Sequence, residues 1–164
     1  MTPAAQPQKS ECSDILDTKE KILPYHDDII IFIVDDDLMY LKSLEFQFRQ
    51  NPNLKIETFL TGEACIEKLC LKPDIVILDY VLNVQDKKAL DGVPTLMKIK
   101  EILPNTQVIM LSARESVDVA TNSIKLGAFD YVIKNQGTFI RLKACIKKIL
   151  GIYAKEKEII VWDW

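Results

Sequence analysis

The chain has little of what builds zinc fingers, disulfide scaffolds or membrane anchors. Its single histidine is His26, and its four cysteines (Cys12, Cys65, Cys70, Cys145) show no CxxC spacing and no neighbouring histidine. Neither a zinc site nor a disulfide framework is expected; the expectation is reduced thiols in a cytoplasmic protein. No apolar run approaches the ~20 residues that span a bilayer. The opening MTPAAQPQKSECSD has no apolar centre of the secretory-signal type, so no membrane association is expected. Positive charge is not in excess: the formal net charge is −3, which gives no reason to expect a nucleic-acid surface or direct DNA binding. The 164 residues, 48 % of them hydrophobic, suffice for one domain with a proper core and are too few for two ordinary ones.

What the chain does have is a short, unusually sharp stretch, Ile29–Asp37, IIIFIVDDD. An unbroken apolar run from Ile29 to Val34 reads as a strand buried on both faces, as in a parallel sheet. Asp35, Asp36 and Asp37 follow at once. In open α/β sheets, ligands sit at the carboxyl ends of the strands. Clustered carboxylates repel one another unless a cation neutralises them, and hard oxygen donors suit Mg²⁺, or Mn²⁺ in its place.

Around this stretch the chain alternates strands and helices. Residues 1–28 form an extension with a Pro/Gln-rich, disordered start. Ile15, Leu16, Ile22 and Leu23 could there form one face of a short docked helix. Leu38, Leu41, Leu44 and Phe48 recur at helical spacing, and Asn51-Pro52-Asn53 stops that helix. Leu54–Phe59, LKIETF, alternates and so belongs at a sheet edge. Thr61 can cap a helix over Gly62–Leu71, and Asp37 the first helix. Ile75–Leu78 is a second buried run, ending in Asp79, and a polar loop follows to Asp91. Gly92–Leu103 is helical, with Leu96, Ile99 and Leu103 inward. Val108–Leu111 is a third buried run, ending in Ser112-Ala113. Arg114–Leu126 is a weak helix with a Val117, Ala120, Ile124 stripe. Tyr131–Ile133 is a short strand followed by Lys134. Thr138 caps a last helix that presents Phe139, Leu142, Ile146 and Ile149 and stops at Gly151. Alternating strands and helices imply an α/β, flavodoxin-like, doubly wound five-stranded parallel sheet of order 2-1-3-4-5, with helices on both faces. The domain spans 29–151, and 152–164 is a short tail. Those thirteen residues cannot form a DNA-binding domain, so no output domain is expected within the chain. Their apolar end, IIVWDW, leaves packing on the domain, a partner and a homodimer open.

Sorting residues by strand end brings Asp35 and Asp36, Asp79, Ser112 and Lys134 to neighbouring positions. With VDDD, ILDY, LSA and YVIK in that order, the chain resembles the receiver domains of response regulators in two-component signalling, over roughly residues 28–150. The resemblance implies that Asp79 accepts a phosphoryl group from a histidine kinase or phosphotransfer protein. It implies that Asp35, Asp36, Asp79 and the Val81 backbone carbonyl hold Mg²⁺, with Asp35 acting largely through water. Lys134, the Ser112 hydroxyl and the Ala113 backbone amide would meet the phosphoryl oxygens. Ser112 and Tyr131 would form the switch that alters the surface of the fourth helix, fifth strand and fifth helix for a downstream partner. Val81 and Arg114 occupy the positions that tune phosphoryl lifetime, and their side chains imply slow loss. Such a domain is not a turnover enzyme; it catalyses only its own phosphorylation and dephosphorylation.

The chain departs from the family pattern at two points. Asp91-Gly92 comes twelve residues after Asp79 with no intervening proline, so Asn83–Leu90 reads as an insertion. Asn135 stands where a proline usually follows the lysine, and a trans bond is expected there. A pseudo-receiver that no longer takes phosphate is the serious rival. A haloacid-dehalogenase-type phosphatase is mimicked by Asp35-Asp36-Asp37, but the pattern after the second Asp is wrong for it. A flavodoxin-like nucleotide binder would need a phosphate loop of amides and hydroxyls where the aspartates stand.

Overall fold

A computed structural model of the chain describes residues 29–82 and 90–157. The elements run β1 (Ile29–Val34), α1 (Leu38–Phe48), β2 (Leu54–Phe59), α2 (Gly62–Glu67) with a 3₁₀ turn (Leu69–Leu71), β3 (Ile75–Asp79), α3 (Gly92–Ile102), β4 (Gln107–Ser112), α4 (Val117–Lys125), β5 (Asp130–Ile133) and α5 (Thr138–Lys157). The strands are parallel and ordered β2-β1-β3-β4-β5, the flavodoxin-like arrangement expected from the sequence.

The sheet's period of two divides its apolar residues between two cores. Ile31, Ile33, Ile77 and Ile109 meet Leu41, Leu44 and Phe48 of α1 and Leu142 and Ile146 of α5. Phe32, Val34, Val76 and Met110 meet Cys65 of α2 and Leu96 and Ile99 of α3 on the other side. β1, β3 and β4 are therefore wanted apolar at every position, and their sequences show no alternation. On β2 only one side is covered, and Lys55 and Glu57 are exposed.

Several local expectations are corrected. Leu38 is 51 % exposed; half-buried Tyr40 packs toward the core instead. The second helix ends at Glu67, and the following residues tighten into the 3₁₀ turn. The third ends at Ile102, with Leu103 as its cap and half-buried. In α4, Val117 and Ile124 of the apolar stripe are 82 % and 46 % exposed, and it is Ser123 that is fully buried. The Ser123 hydroxyl donates to the Val119 carbonyl at 2.9 Å, so its burial leaves no orphaned polar group. Ser116 caps this helix by accepting from the Val119 amide, which delays its start to Val117. α5 does not stop at Gly151 but runs to Lys157. Tyr153 packs on the core two residues past the glycine and offsets its weak helix preference. Cys65 and Cys145 are free, in line with the expectation of reduced thiols at those two positions. The helix suggested within 1–28 and the apolar end of the chain lie outside the described residues. Among the described residues no helix is long and apolar enough to cross a membrane.

Candidate functional site

Four strand ends build the site. β1 stops because its last residue is followed by groups that prefer water or a turn. The Asp35 amide still pairs with the Phe59 carbonyl at 3.1 Å, and its side chain is fully buried. One Asp35 oxygen accepts from the Asp37 amide at 3.0 Å. Asp37 in turn caps α1, accepting from the amides of Met39 and Tyr40, as expected. β3 ends at Asp79, 5 % exposed. The chain then turns away under Gly92, where an added Cβ would lie 2.3 Å from the Asp79 carbonyl oxygen. Only glycine permits that approach. The Asp91 carboxylate accepts from the Leu82 and Gly92 amides at 3.0 and 2.9 Å, closing the neck of the segment read as an insertion. Of that segment only Leu90 is described, and its amide donates to Glu63 of α2 at 2.6 Å.

Lys134 follows β5, its amide donating to the Ser112 carbonyl at 2.7 Å. No peptide bond among the described residues is cis. The Asn135 amide donates to the Thr138 hydroxyl at 2.7 Å, and that hydroxyl is also in reach of the Ile133 and Asn135 carbonyls. Thr138 thus opens α5 without capping it as expected; it ties down the turn that carries the lysine.

The ammonium of Lys134 reaches the buried carboxylates of Asp35 at 2.7 Å and Asp79 at 2.8 Å. Asp35, Asp36 and Asp79 each place a carboxylate oxygen within 4.8 Å of the others. Burial pushes the Asp79 carboxyl up to about 6, against the hydrogen bond from Lys134, with the neighbouring Asp35 adding to the rise. Asp35 is raised for the same first reason. At Lys134 burial alone would favour the neutral amine, but hydrogen bonds to Asp35 and Asp79 outweigh it and hold the pKa up. Pairing wins at the lysine and burial wins at the aspartates because one ammonium serves both of these buried carboxylates. The pocket is therefore short of positive charge. Its donors are hard oxygens converging from two strand ends, and this set fits a divalent cation such as Mg²⁺.

The other sequence-predicted residues lie around this centre. The Val81 amide hydrogen-bonds the Asp79 carboxylate. The Ser112 hydroxyl, 1 % exposed, accepts from the Arg114 amide at 3.0 Å. Ala113 and Arg114 are exposed beyond it. Tyr131 is half-buried on β5, and its hydroxyl donates to the Arg114 carbonyl at 2.7 Å. Sequence reasoning missed Tyr40, whose ring lies 4.6 Å from the Lys134 ammonium, and the tie made by Thr138. An aromatic in the first turn of the helix that follows the aspartates was the available signal.

A family model described as the response regulator receiver domain matches residues 31–147. The transcriptional regulatory protein ZraR of Escherichia coli K12 is 31 % identical over 126 residues, covering 77 % of this chain and 27 % of that protein. A protein-glutamate methylesterase/protein-glutamine glutaminase of Methanosarcina mazei is 36 % identical over 109 residues, covering 64 % and 28 %. The chain thus spans little more than a quarter of the length of these curated relatives. Among solved structures, the BeF3-activated DrrB receiver domain shares 30 % identity with a TM-score of 0.66, covering 76 % of this chain and 98 % of that one. The signal receiver domain of a putative LuxO repressor protein from Vibrio parahaemolyticus shares 27 % with a TM-score of 0.68, covering 82 % and 99 %.

Proposed function

Because the chain belongs to the response regulator receiver family, we propose that it acts as a phosphoacceptor switch in which Asp79 takes a phosphoryl group from a histidine kinase or phosphotransfer protein. The observation that carries this reading is the shared Lys134 ammonium between Asp35 and Asp79, beside a third carboxylate from Asp36.

An Asp79 oxygen attacks the phosphorus, forming a P–O bond as the donor's P–N bond breaks. The product is an acyl phosphate. Such a transfer needs positioning and charge neutralisation more than covalent help. Asp35, Asp36, Asp79 and the Val81 carbonyl would hold a Mg²⁺ or Mn²⁺ ion. When bound, that ion supplies positive charge against the phosphoryl oxygens. Lys134 supplies a second charge from the opposite strand end. The Ser112 hydroxyl and Ala113 amide would donate to the oxygen nearest β4. In turning to that oxygen, Ser112 would leave the Arg114 amide and Tyr131 would settle inward, altering the α4, β5 and α5 surface for a downstream protein. The phosphohistidine donors are made from ATP, and we accordingly place the protein in the cytoplasm. Family membership sets aside the dehalogenase-type phosphatase.

Intact mass after incubation with acetyl phosphate and Mg²⁺ tests the reading. A gain of one phosphoryl group, abolished by chelator, is expected. No gain while Mg²⁺ still binds would favour the pseudo-receiver.

Loss of the phosphoryl group is expected to be slow. Val81 has no polar atom on its side chain to orient an attacking water, and exposed Arg114 stands at the rim of the pocket. Val81→Asn supplies such an atom and should shorten the lifetime several-fold, measured as decay of the phosphorylated mass after removal of acetyl phosphate. Equal lifetimes would remove Val81 from this role.

A further inference from the structure

We propose that Tyr40 is a positioning residue for Lys134, its ring helping to hold the ammonium that the carboxylates of Asp35 and Asp79 draw inward. The inference rests on the phosphoacceptor reading above and adds a residue to it.

Lysine is a flexible four-carbon stem with a compact charge at its end. The backbone ties at Lys134 and Asn135 fix where the stem begins; they do not fix where it ends. Two carboxylates at 2.7 and 2.8 Å draw the ammonium inward. The Tyr40 ring, 4.6 Å away at its centroid, offers a negative π face to the same charge. The ammonium sits in a largely water-excluded place, its side chain 17 % exposed, where such a contact is strongest.

Tyr40 is itself held by the loop that carries the acidic pair. Its amide donates to Asp37 at 3.1 Å, and the Asp37 amide donates to Asp35 at 3.0 Å. A single stretch of chain thus fixes both the carboxylates and the ring. The Tyr40 hydroxyl is buried beside Thr138, on the turn that carries the lysine. The contact with the ammonium is made by the ring face, so the ring is the working part, and phenylalanine should replace it.

Tyr40→Phe and Tyr40→Leu, each alone and combined with Lys134→Ala, test the proposal. In metal-free protein the Lys134 ε-methylene protons should be shifted upfield by the ring current in the parent and in Tyr40→Phe, and not in Tyr40→Leu. Phosphoryl uptake from acetyl phosphate should be preserved in Tyr40→Phe and slowed about tenfold in Tyr40→Leu. In the Lys134→Ala background, Tyr40→Leu should slow uptake no further. A parent Lys134 resonance without ring-current shift, or equal slowing by Tyr40→Leu with and without Lys134, would overturn it. The resonance is read even if Tyr40→Leu fails to fold, since the parent and Tyr40→Phe carry it. If the parent takes no phosphoryl group, the functional reading fails, and the resonance still judges the role of Tyr40.

Discussion

Asp79→Asn is expected to abolish phosphoryl uptake and, in metal-free buffer at pH 7, to raise the melting temperature. Loss of uptake follows from loss of the nucleophilic carboxylate. The gain in stability follows from the cost of keeping that carboxylate charged. Burial pushes Asp79 up to about 6, whereas the unfolded chain ionises it at about 4. Below pH 4 both states hold the proton and the group is neutral in its effect. Between about 4 and 6 the native state keeps a proton that the unfolded state gives up, so stability falls as pH rises. Above 6 the full cost stands, on the order of 3 kcal/mol. Asparagine has nearly the same shape, can still accept from Lys134, and carries no charge. Melting curves in chelator at pH 4.5 and 7.5 should show the parent losing more stability across this range than the variant. Asp35 shifts in the same direction, so some pH dependence remains in the variant. Added Mg²⁺ should raise the parent's melting temperature more than the variant's. Parallel pH profiles would contradict the charge argument.

Lys134→Ala is expected to have the second-largest effect, with the opposite sign on stability. Asp35 and Asp79 would then face each other with their shared cation gone. Removing one partner of a buried ion pair costs about 3–5 kcal/mol. The loss should be largest without metal and should shrink when Mg²⁺ supplies a replacement charge. Uptake from acetyl phosphate should fall by roughly 10²–10³-fold, the usual effect of deleting one fixed stabiliser of developing charge. An unchanged uptake rate in a folded variant would mean that the ammonium does not reach the phosphoryl oxygens. The two substitutions separate two roles of one contact, since Asp79→Asn relieves a charge excess that Lys134→Ala makes worse.

The strand framework was legible because burial on both faces leaves a simple trace. The runs IIIFIV, IVIL and VIML allow no polar residue, whereas LKIETF does, and this contrast places β2 at an edge. The site was legible for a related reason: each strand end delivers one polar residue to the same rim. Contacts set by helix rotation were less legible. Apolar spacing in α4 pointed to Val117 and Ile124, yet the buried face carries Ser123, because a back-bonded hydroxyl is tolerated in the interior. Tyr40 escaped notice because Leu41, Leu44 and Phe48 already account for the inward face of α1; a cation over a ring leaves no periodic trace. Thr138 reads as an ordinary cap, and only the folded chain turns its hydroxyl back to Asn135. Gly151 looks like a terminator, and distant packing of Tyr153 carries α5 through it.

The Arg114 backbone is gripped at both ends, its amide by the Ser112 hydroxyl and its carbonyl by the Tyr131 hydroxyl. Each of these bonds is worth only about 1 kcal/mol once water can replace it, and Arg114 lies at the exposed rim. Breaking both without any phosphoryl group would cost about 1–3 kcal/mol, so between roughly one resting molecule in six and one in 160 would occupy the released arrangement. If Ser112 and Tyr131 form the switch proposed above, its background would be set by two hydroxyls, and a partner that binds the released form tightly would respond even in the absence of a stimulus. The sensitivity of such a switch and its noise floor would then be fixed by the backbone of one residue.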